Sequence, residues 1–280
     1  MTTEPSARGG GTTVSIVRPE KRCRGSRDRP AEEGAPEVST EPRRYFIVHL
    51  QKTAGTTLRD RFRSTFPETA IYPNATDGRD KRISVISVSH LLERWRERRD
   101  EIRVVAGHFP LSTVELLDAE FVTLSVLRPP VDRTLSYLRH QKKLNAADRE
   151  RTLEEIYDDP FRFHGLIRNH MVRMFSIGSA EMASGDGVLT DVPDTAERLE
   201  RAKAGVAGLD AFGLQPNFEE FFAELADRFD LSPGEPLRSN TTDSEDVPPG
   251  LVERIQHDNA LDLELYSYAE ALYEKRTVTR

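Results

Sequence analysis

Five residues in a short segment could bind a phosphate group: Lys52, Thr53, Gly55, Thr56 and Thr57. They follow an apolar run, YFIV, which suits a strand buried on both faces of a parallel sheet. Glycine lets the backbone approach an anion, the threonines can add hydroxyl donors to the amides of a following helix, and the lysine supplies positive charge. In the pattern GxxxxGK[ST] the lysine follows the second glycine, whereas here it precedes the segment's one glycine. The segment therefore predicts a phosphate loop unlike that of ordinary nucleoside triphosphatases.

A second stretch, FVTLSVLRPPVDRTLSYLRHQ, again joins an apolar strand to a helix, with Arg128 at the junction. Pro129 and Pro130 fit this turn, because proline is tolerated in the first turn of a helix, and Asp132 favours the positive end of the helix dipole. Ser136 lies two helical turns beyond Arg128 and could contact an anion that the arginine also binds. Two anion sites in one chain suit a nucleotide that is phosphorylated on both its 5′ and its 3′ side.

Three more polar residues are candidates for chemistry or binding. His108 follows a predicted strand end, where α/β sheets gather their active sites, and it lies between the two loops in sequence. It is our candidate for a general base, although a packing or capping role stays open. Asn169 and Arg173 are four residues apart on a predicted helix and could contact a cofactor or an anionic acceptor. A structural hydrogen bond is an equally good interpretation of that pair.

The motifs HLQKTAGTTL and VLRPPVDRTLSYLR together resemble those of the PAPS-dependent sulfotransferases, in the branch that includes carbohydrate 2-O-sulfotransferases and their bacterial relatives. The resemblance continues through AGHF, NHMVRMF, AFGLQPNFEEFFAEL and DLELYSYAEALY, and it spans roughly residues 44 to 275. It implies that one loop binds the 5′-phosphosulfate of PAPS, that Arg128 and Ser136 bind its 3′-phosphate, and that His108 is the base. The residues implied on the 5′ side are Lys52, Thr53, Ala54, Gly55, Thr56 and Thr57.

Sulfuryl transfer needs these residue types, because an acceptor hydroxyl attacks sulfur while the oxygen bridging to the 5′-phosphate leaves with growing negative charge. Lys52 can neutralise that charge, and a base within hydrogen-bonding reach is worth about 10²–10⁴ in rate. We expect no metal requirement, and the acceptor is expected to be a carbohydrate or a glycosylated small molecule. Two alternatives stay open: an ATP-dependent small-molecule kinase with a P-loop-like fold, and a nucleotide-binding module without catalysis.

Composition narrows the class of protein. The 280 residues are 37% hydrophobic, enough for one sizeable α/β core, and the net charge of −7 argues against a general nucleic-acid binder. No apolar run is long enough to span a membrane and no signal-peptide core is visible, so the prediction is a cytoplasmic protein. A single cysteine, Cys23, is consistent with a reducing compartment. The oligomeric state stays open.

The elements predicted around these loops form a P-loop-like, three-layer α/β fold, in which helices flank a central, mostly parallel sheet. Residues 1–42 read as a disordered tail and 43–280 as the sulfotransferase domain. Ser89 is predicted to cap a helix, and residues 178–194 are predicted to form a flexible loop near the acceptor pocket. Periodicity predicts a strand over 102–106 and helices over 57–66, 163–175 and 251–273.

Overall fold

The structure is a computed structural model that describes residues 42–78, 80–184, 187–234 and 246–278. The described residues all belong to one compact unit. The predicted tail lies outside the described residues except at Pro42, so its disorder and the domain boundary stay predictions.

Among the described residues, five strands form one sheet in the order β2-β3-β1-β4-β5, and every neighbouring pair is parallel. The strands are β1 Tyr45–Val48, β2 Ile71–Tyr72, β3 Val104–Gly107, β4 Val122–Leu127 and β5 Ala211–Leu214. Val48 pairs with Gly107 on one side and with Ser125 on the other. Because β1 lies between β3 and β4 and the three strands are parallel, the segments after β1, β3 and β4 leave the sheet at the same edge.

Helices cover both faces of the sheet. They are α1 Gly55–Phe62, α2 Lys81–Ile86, α3 Val88–Arg98, α4 Pro130–Leu144, α5 Leu153–Tyr157, α6 Pro160–Arg162, α7 His170–Ser176, α8 Ala196–Ala207, α9 Phe218–Phe229, α10 Leu251–Asp258 and α11 Ala260–Val278, with a short π-helix at Phe163–Ile167. On one face, Ile47 and Leu124 pack with Leu58 of α1 and Phe222 of α9. The other face packs against α3, α4, α7, α8, α10 and α11. The predicted three-layer α/β fold is confirmed.

Several predicted boundaries were wrong. The charged helix starts two residues early, because Ser87, and not Ser89, is its N-cap and accepts a hydrogen bond from the His90 amide at 3.1 Å. The predicted helix over 57–66 runs from Gly55 to Phe62, and the strand over 102–106 runs from Val104 to Gly107. Strand β2, Ile71–Tyr72, was not among the predicted strands.

Two predicted helices are each interrupted. Residues 163–175 divide into the π-helix and α7, because Asn169 adopts the left-handed region with φ of 43°. Residues 251–273 divide at Asn259 into α10 and α11. The two breaks contact each other: the Asn169 amide donates to Asn259 Oδ1 at 3.0 Å, and the Asp262 amide donates to Asn169 Oδ1 at 3.2 Å.

Candidate functional site

The loop between β1 and α1 turns through two non-glycine residues in the left-handed region, Lys52 with φ of 67° and Ala54 with φ of 71°. Gly55 does not have a positive φ. A glycine is required at position 55 for another reason, because a Cβ there would collide with the imidazole ring of His49. The predicted role of Gly55 in relaxing the backbone therefore differs from what the structure shows, which is close packing of a side chain on its Cα.

Four carbonyl groups of this segment accept hydrogen bonds from side chains. Ser125 Oγ donates to the Val48 oxygen at 2.9 Å, His108 Nδ1 to the His49 oxygen at 2.7 Å, Thr53 Oγ1 to the Leu50 oxygen at 3.1 Å, and Arg128 Nη1 to the Lys52 oxygen at 3.1 Å. A carbonyl oxygen that points at an anion repels it. Engaging these carbonyls with protein donors leaves the first amides of α1 as groups that can face an anion.

The amino terminus of α1 suits an anion. Its N-cap, Ala54, makes no side-chain cap, its first turn has no acidic residue, and its first intrahelical bond runs from the Leu58 amide to the Ala54 oxygen at 2.9 Å. The amides before Leu58 therefore have no intrahelical partner. Thr56 is exposed and Thr57 half-buried, so both hydroxyls are near the surface. The buried Thr53 donates its hydroxyl hydrogen to the loop itself, unlike the donor role predicted for it.

Cationic groups gather around this loop. Burial lowers the pKa of Lys52, and the positive charges of Arg128 and Lys143 lower it further. The pKa of His140 is lowered by burial and then by Lys52 and Lys143. Since Lys143 lies on α4, that helix carries positive charge along the loop. A concentration of like charges that depresses a lysine pKa would be relieved by a bound anion.

Arg128 connects the two predicted anion sites. Its Nη1 donates a hydrogen bond to the Lys52 carbonyl. Arg128 lies between the end of β4 and the start of α4, and the first turn of α4 contains Pro130 and Asp132. Burial lowers the pKa of Arg128, Asp132 raises it and Arg139 lowers it. Within the described residues, its buried Nε has no hydrogen-bond partner. Ser136 lies in α4 and is buried.

His108 lies directly after β3 and is fixed in one tautomer. Because a carbonyl can only accept, the 2.7 Å contact with the His49 oxygen requires the hydrogen on Nδ1 and leaves the lone pair on Nε2. Burial lowers the pKa of His108, the hydrogen bond to His49 raises it, and Arg59 lowers it. A neutral imidazole with a free Nε2 lone pair is the form that can accept a proton.

Two further histidines lie close by, and their contacts were not predicted from the sequence. The ring centroids of His49 and His108 are 4.5 Å apart, and the Gln51 amide donates to Nε2 of the fully buried His170 at 3.5 Å. Burial lowers the pKa of His49 well below its usual value, as do the charges of His108, Arg59 and Lys52. Within the described part of the chain, no group of three or more His, Cys, Asp or Glu side chains is placed to hold a metal ion.

Asn169 and Arg173 are engaged inside the protein. Asn169 links the two helix breaks, and Arg173 Nη2 donates to the Val188 oxygen at 3.3 Å and to the Thr190 oxygen at 2.6 Å. Both side chains are buried. These contacts correspond to the structural alternative that the sequence left open: Asn169 contacts the break between α10 and α11, and Arg173 contacts the segment after α7.

A cavity of about 500 Å³ lies elsewhere, between β5, α9 and the end of α11. None of its lining residues belongs to the groups described above. No helix in the described ranges combines the length and apolar character needed to span a membrane.

Comparison with known proteins gives a likeness of structure and none of sequence. No protein-family model matches the chain, and no curated protein matches it by sequence. Among solved structures, the chain is similar to a sulfotransferase from Alicyclobacillus acidocaldarius, with 17% identity and a TM-score of 0.46 over 83% of this chain and 96% of the other. A likeness this distant assigns no activity.

Proposed function

We propose that this protein transfers a sulfuryl group from PAPS to a hydroxyl group of an acceptor. The observation that carries the proposal is the hydrogen bond from Arg128 to the Lys52 carbonyl, which joins two cationic helix starts at one edge of the sheet. A donor with phosphate groups at two places needs two such sites at a fixed separation. Among donors of this kind we propose PAPS, because the motifs around Lys52 and Arg128 resemble those of sulfotransferases.

The residues present fit this donor. Lys52 and the first amides of α1 would hold the 5′-phosphosulfate, with Thr56 and Thr57 as added hydroxyl donors. Arg128 and the start of α4, with Ser136, would hold the 3′-phosphate, for which a guanidinium fork is well shaped. When bound, PAPS supplies the activated sulfuryl group. Lys52 would then lie beside the oxygen that gains charge, in a site where a preorganised cation acts strongly.

His108 would act as the general base. Its Nε2 lone pair is available, while Nδ1 is fixed by the His49 carbonyl, so the ring can accept a proton from the acceptor hydroxyl without a change of tautomer. The resulting imidazolium keeps the same hydrogen bond. The His49 carbonyl therefore orients this histidine in the way that an aspartate side chain could otherwise do.

The finer parts of the proposal rest on the sequence. They are a carbohydrate or glycosylated small molecule as acceptor, no metal requirement, a cytoplasmic location and a catalytic domain over residues 43–280. Residues 178–194, which include two short 3₁₀ turns where the structure describes them, are proposed to shape the acceptor pocket.

The test has two steps. Thermal unfolding with PAP, ATP and GTP first identifies the nucleotide, since a ligand at a hundredfold excess over its Kd stabilises the protein by about 2.7 kcal/mol. Labelled PAPS and a set of sugars and glycosides then identify transfer. Stabilisation by ATP and not by PAP, with magnesium-dependent phosphate transfer, would indicate the kinase instead. PAP binding without transfer to any acceptor would indicate a binding module.

A further inference from the structure

The imidazole of His49 lies between the phosphate loop and the proposed base. On one side it packs on Gly55, at such close range that a Cβ there would overlap ring atoms Cγ, Cδ2 and Nε2. On the other side its centroid is 4.5 Å from that of His108, with the two ring planes 48° apart. His49 is 8% exposed, so protein surrounds the ring.

We propose that His49 is a positioning residue, whose ring fixes the plane of the His108 imidazole while its carbonyl fixes the tautomer. The inference rests on the proposed function, because it gives His49 a part in the reaction assigned to His108. Gly55 belongs to the same device, since only a residue without Cβ leaves room for the ring beside the first turn of α1.

The surroundings of His49 exclude a role as a second charged group. Its protonated form would be buried beside Lys52, Arg59 and His108, which is why its pKa is held well below the usual value. Because the His49 ring stays neutral, we assign its effect on His108 to its shape and not to a charge. Close packing restricts the side chains that it contacts, so removing the ring opens space into which His108 can rotate, and its Nε2 then leaves the position that the acceptor proton requires.

The first test compares His49→Ala, which removes the ring, with His49→Phe, which keeps a flat ring. His257→Ala is the matched control, since that histidine is 89% exposed. We expect H49A to lower kcat by roughly 10²-fold, the cost of a misplaced catalytic group. Affinity for PAP should change by less than about twofold, because no phosphate-binding group is altered. H49F should recover most of the rate.

Three outcomes would overturn the inference. They are an unchanged kcat in H49A, a loss of PAP affinity that parallels the loss of rate, and a folded H49F that is as slow as H49A. The last would mean that the imidazole nitrogens of His49 matter and not its shape.

The second test is a double-mutant cycle that also works if H49F does not fold. Gly55→Ala places a methyl group where the His49 ring lies, so in the native background it should lower the melting temperature and displace His108. In H49A the methyl group has room, and the same substitution should cost much less. An equal cost of G55A in both backgrounds would refute contact between Gly55 and the His49 ring as the device.

A spectroscopic measurement separates this inference from the proposed function. The ring nitrogens of His108, assigned in ¹⁵N-histidine-labelled protein with His108→Asn as reference, should report hydrogen on Nδ1 in the native protein. H49A should give a mixture of tautomers or a broadened signal. If the native protein transfers no sulfuryl group but H49A changes this signal, the proposed function fails and the positioning stands. An unchanged signal in H49A refutes the positioning.

Discussion

Removing Arg128 tests the link between the two halves of the site. The guanidinium bonds the Lys52 carbonyl at 3.1 Å and is proposed to bind the 3′-phosphate. A hydrogen bond to a charged group contributes about 1.5–3 kcal/mol and a neutral one about 0.5–1.5 kcal/mol. Arg128→Ala should therefore weaken binding of PAP by roughly 10- to 150-fold from the 3′-phosphate contact alone.

Calorimetry with two nucleotides separates the two contacts. Adenosine 5′-phosphate lacks the 3′-phosphate, so its binding should suffer only from the loosened loop and should weaken less than the binding of PAP. The pKa of Lys52 should rise in R128A, because a neighbouring positive charge is removed. Arg128→Lys should restore little, since an ammonium group cannot supply the guanidinium fork.

The control is Arg63→Ala, an arginine on the surface that pairs with Asp60 and Glu68. It should leave both nucleotides unaffected. If R128A weakened PAP and adenosine 5′-phosphate to the same extent, Arg128 would serve the loop alone. The 3′-phosphate would then need another partner.

Three other predictions follow from single residues. Lys52→Ala should lower kcat far more than PAP affinity, because the lysine acts mainly on charge that develops during transfer; near-normal turnover in single-turnover assays would remove this role. The acidic limb of the kcat/KM profile should lie below pH 6.5, since the pKa of His108 is lowered by burial and by Arg59, with His49 and His170 neutral beside it. A limb above pH 6.5, or one that persists in His108→Asn, would exclude His108 as the base. Burial raises the pKa of Asp262 from 3.8 to about 6 in the folded protein, so the native state binds the proton more tightly than the unfolded chain. The Asp262 contribution to the free energy of unfolding should therefore fall between pH 4 and pH 6 by up to about 3 kcal/mol. Urea unfolding of the native protein and Asp262→Asn across that range checks the sign, and identical slopes would contradict it.

The elements that could be predicted from the sequence are those whose pattern is local. An apolar run gave β1, and a strand followed by prolines and Asp132 gave β4 and the start of α4. The breaks at Asn169 and Asn259 could not be predicted this way. Each depends on a hydrogen bond to a residue about ninety positions away, which overrides local helix propensity.

The candidate site divides along the same line. Lys52, Arg128 and His108 could be placed because each follows a strand, and parallel strands end at one edge. The role of His49 could not be predicted, because its ring contacts Gly55 and His108, and His108 follows a different strand, β3. The one sequence signal for this role is Gly55, the single glycine of the loop. Because Gly55 has no positive φ, its lack of a side chain must serve the packing of a neighbouring group.

The four carbonyl hydrogen bonds explain how this loop can form with so little glycine. Lys52 and Ala54 both adopt the left-handed region, which costs a residue with a Cβ roughly 1–2 kcal/mol each. The neutral donors Ser125, His108 and Thr53 contribute about 0.5–1.5 kcal/mol apiece and the charged Arg128 about 1.5–3 kcal/mol, which is enough to offset that strain. Two of these donors, His108 and Arg128, are also the proposed base and the proposed 3′-phosphate ligand. The same hydrogen bonds that stabilise the loop therefore fix the distance between its lysine and the two groups with which it is proposed to act.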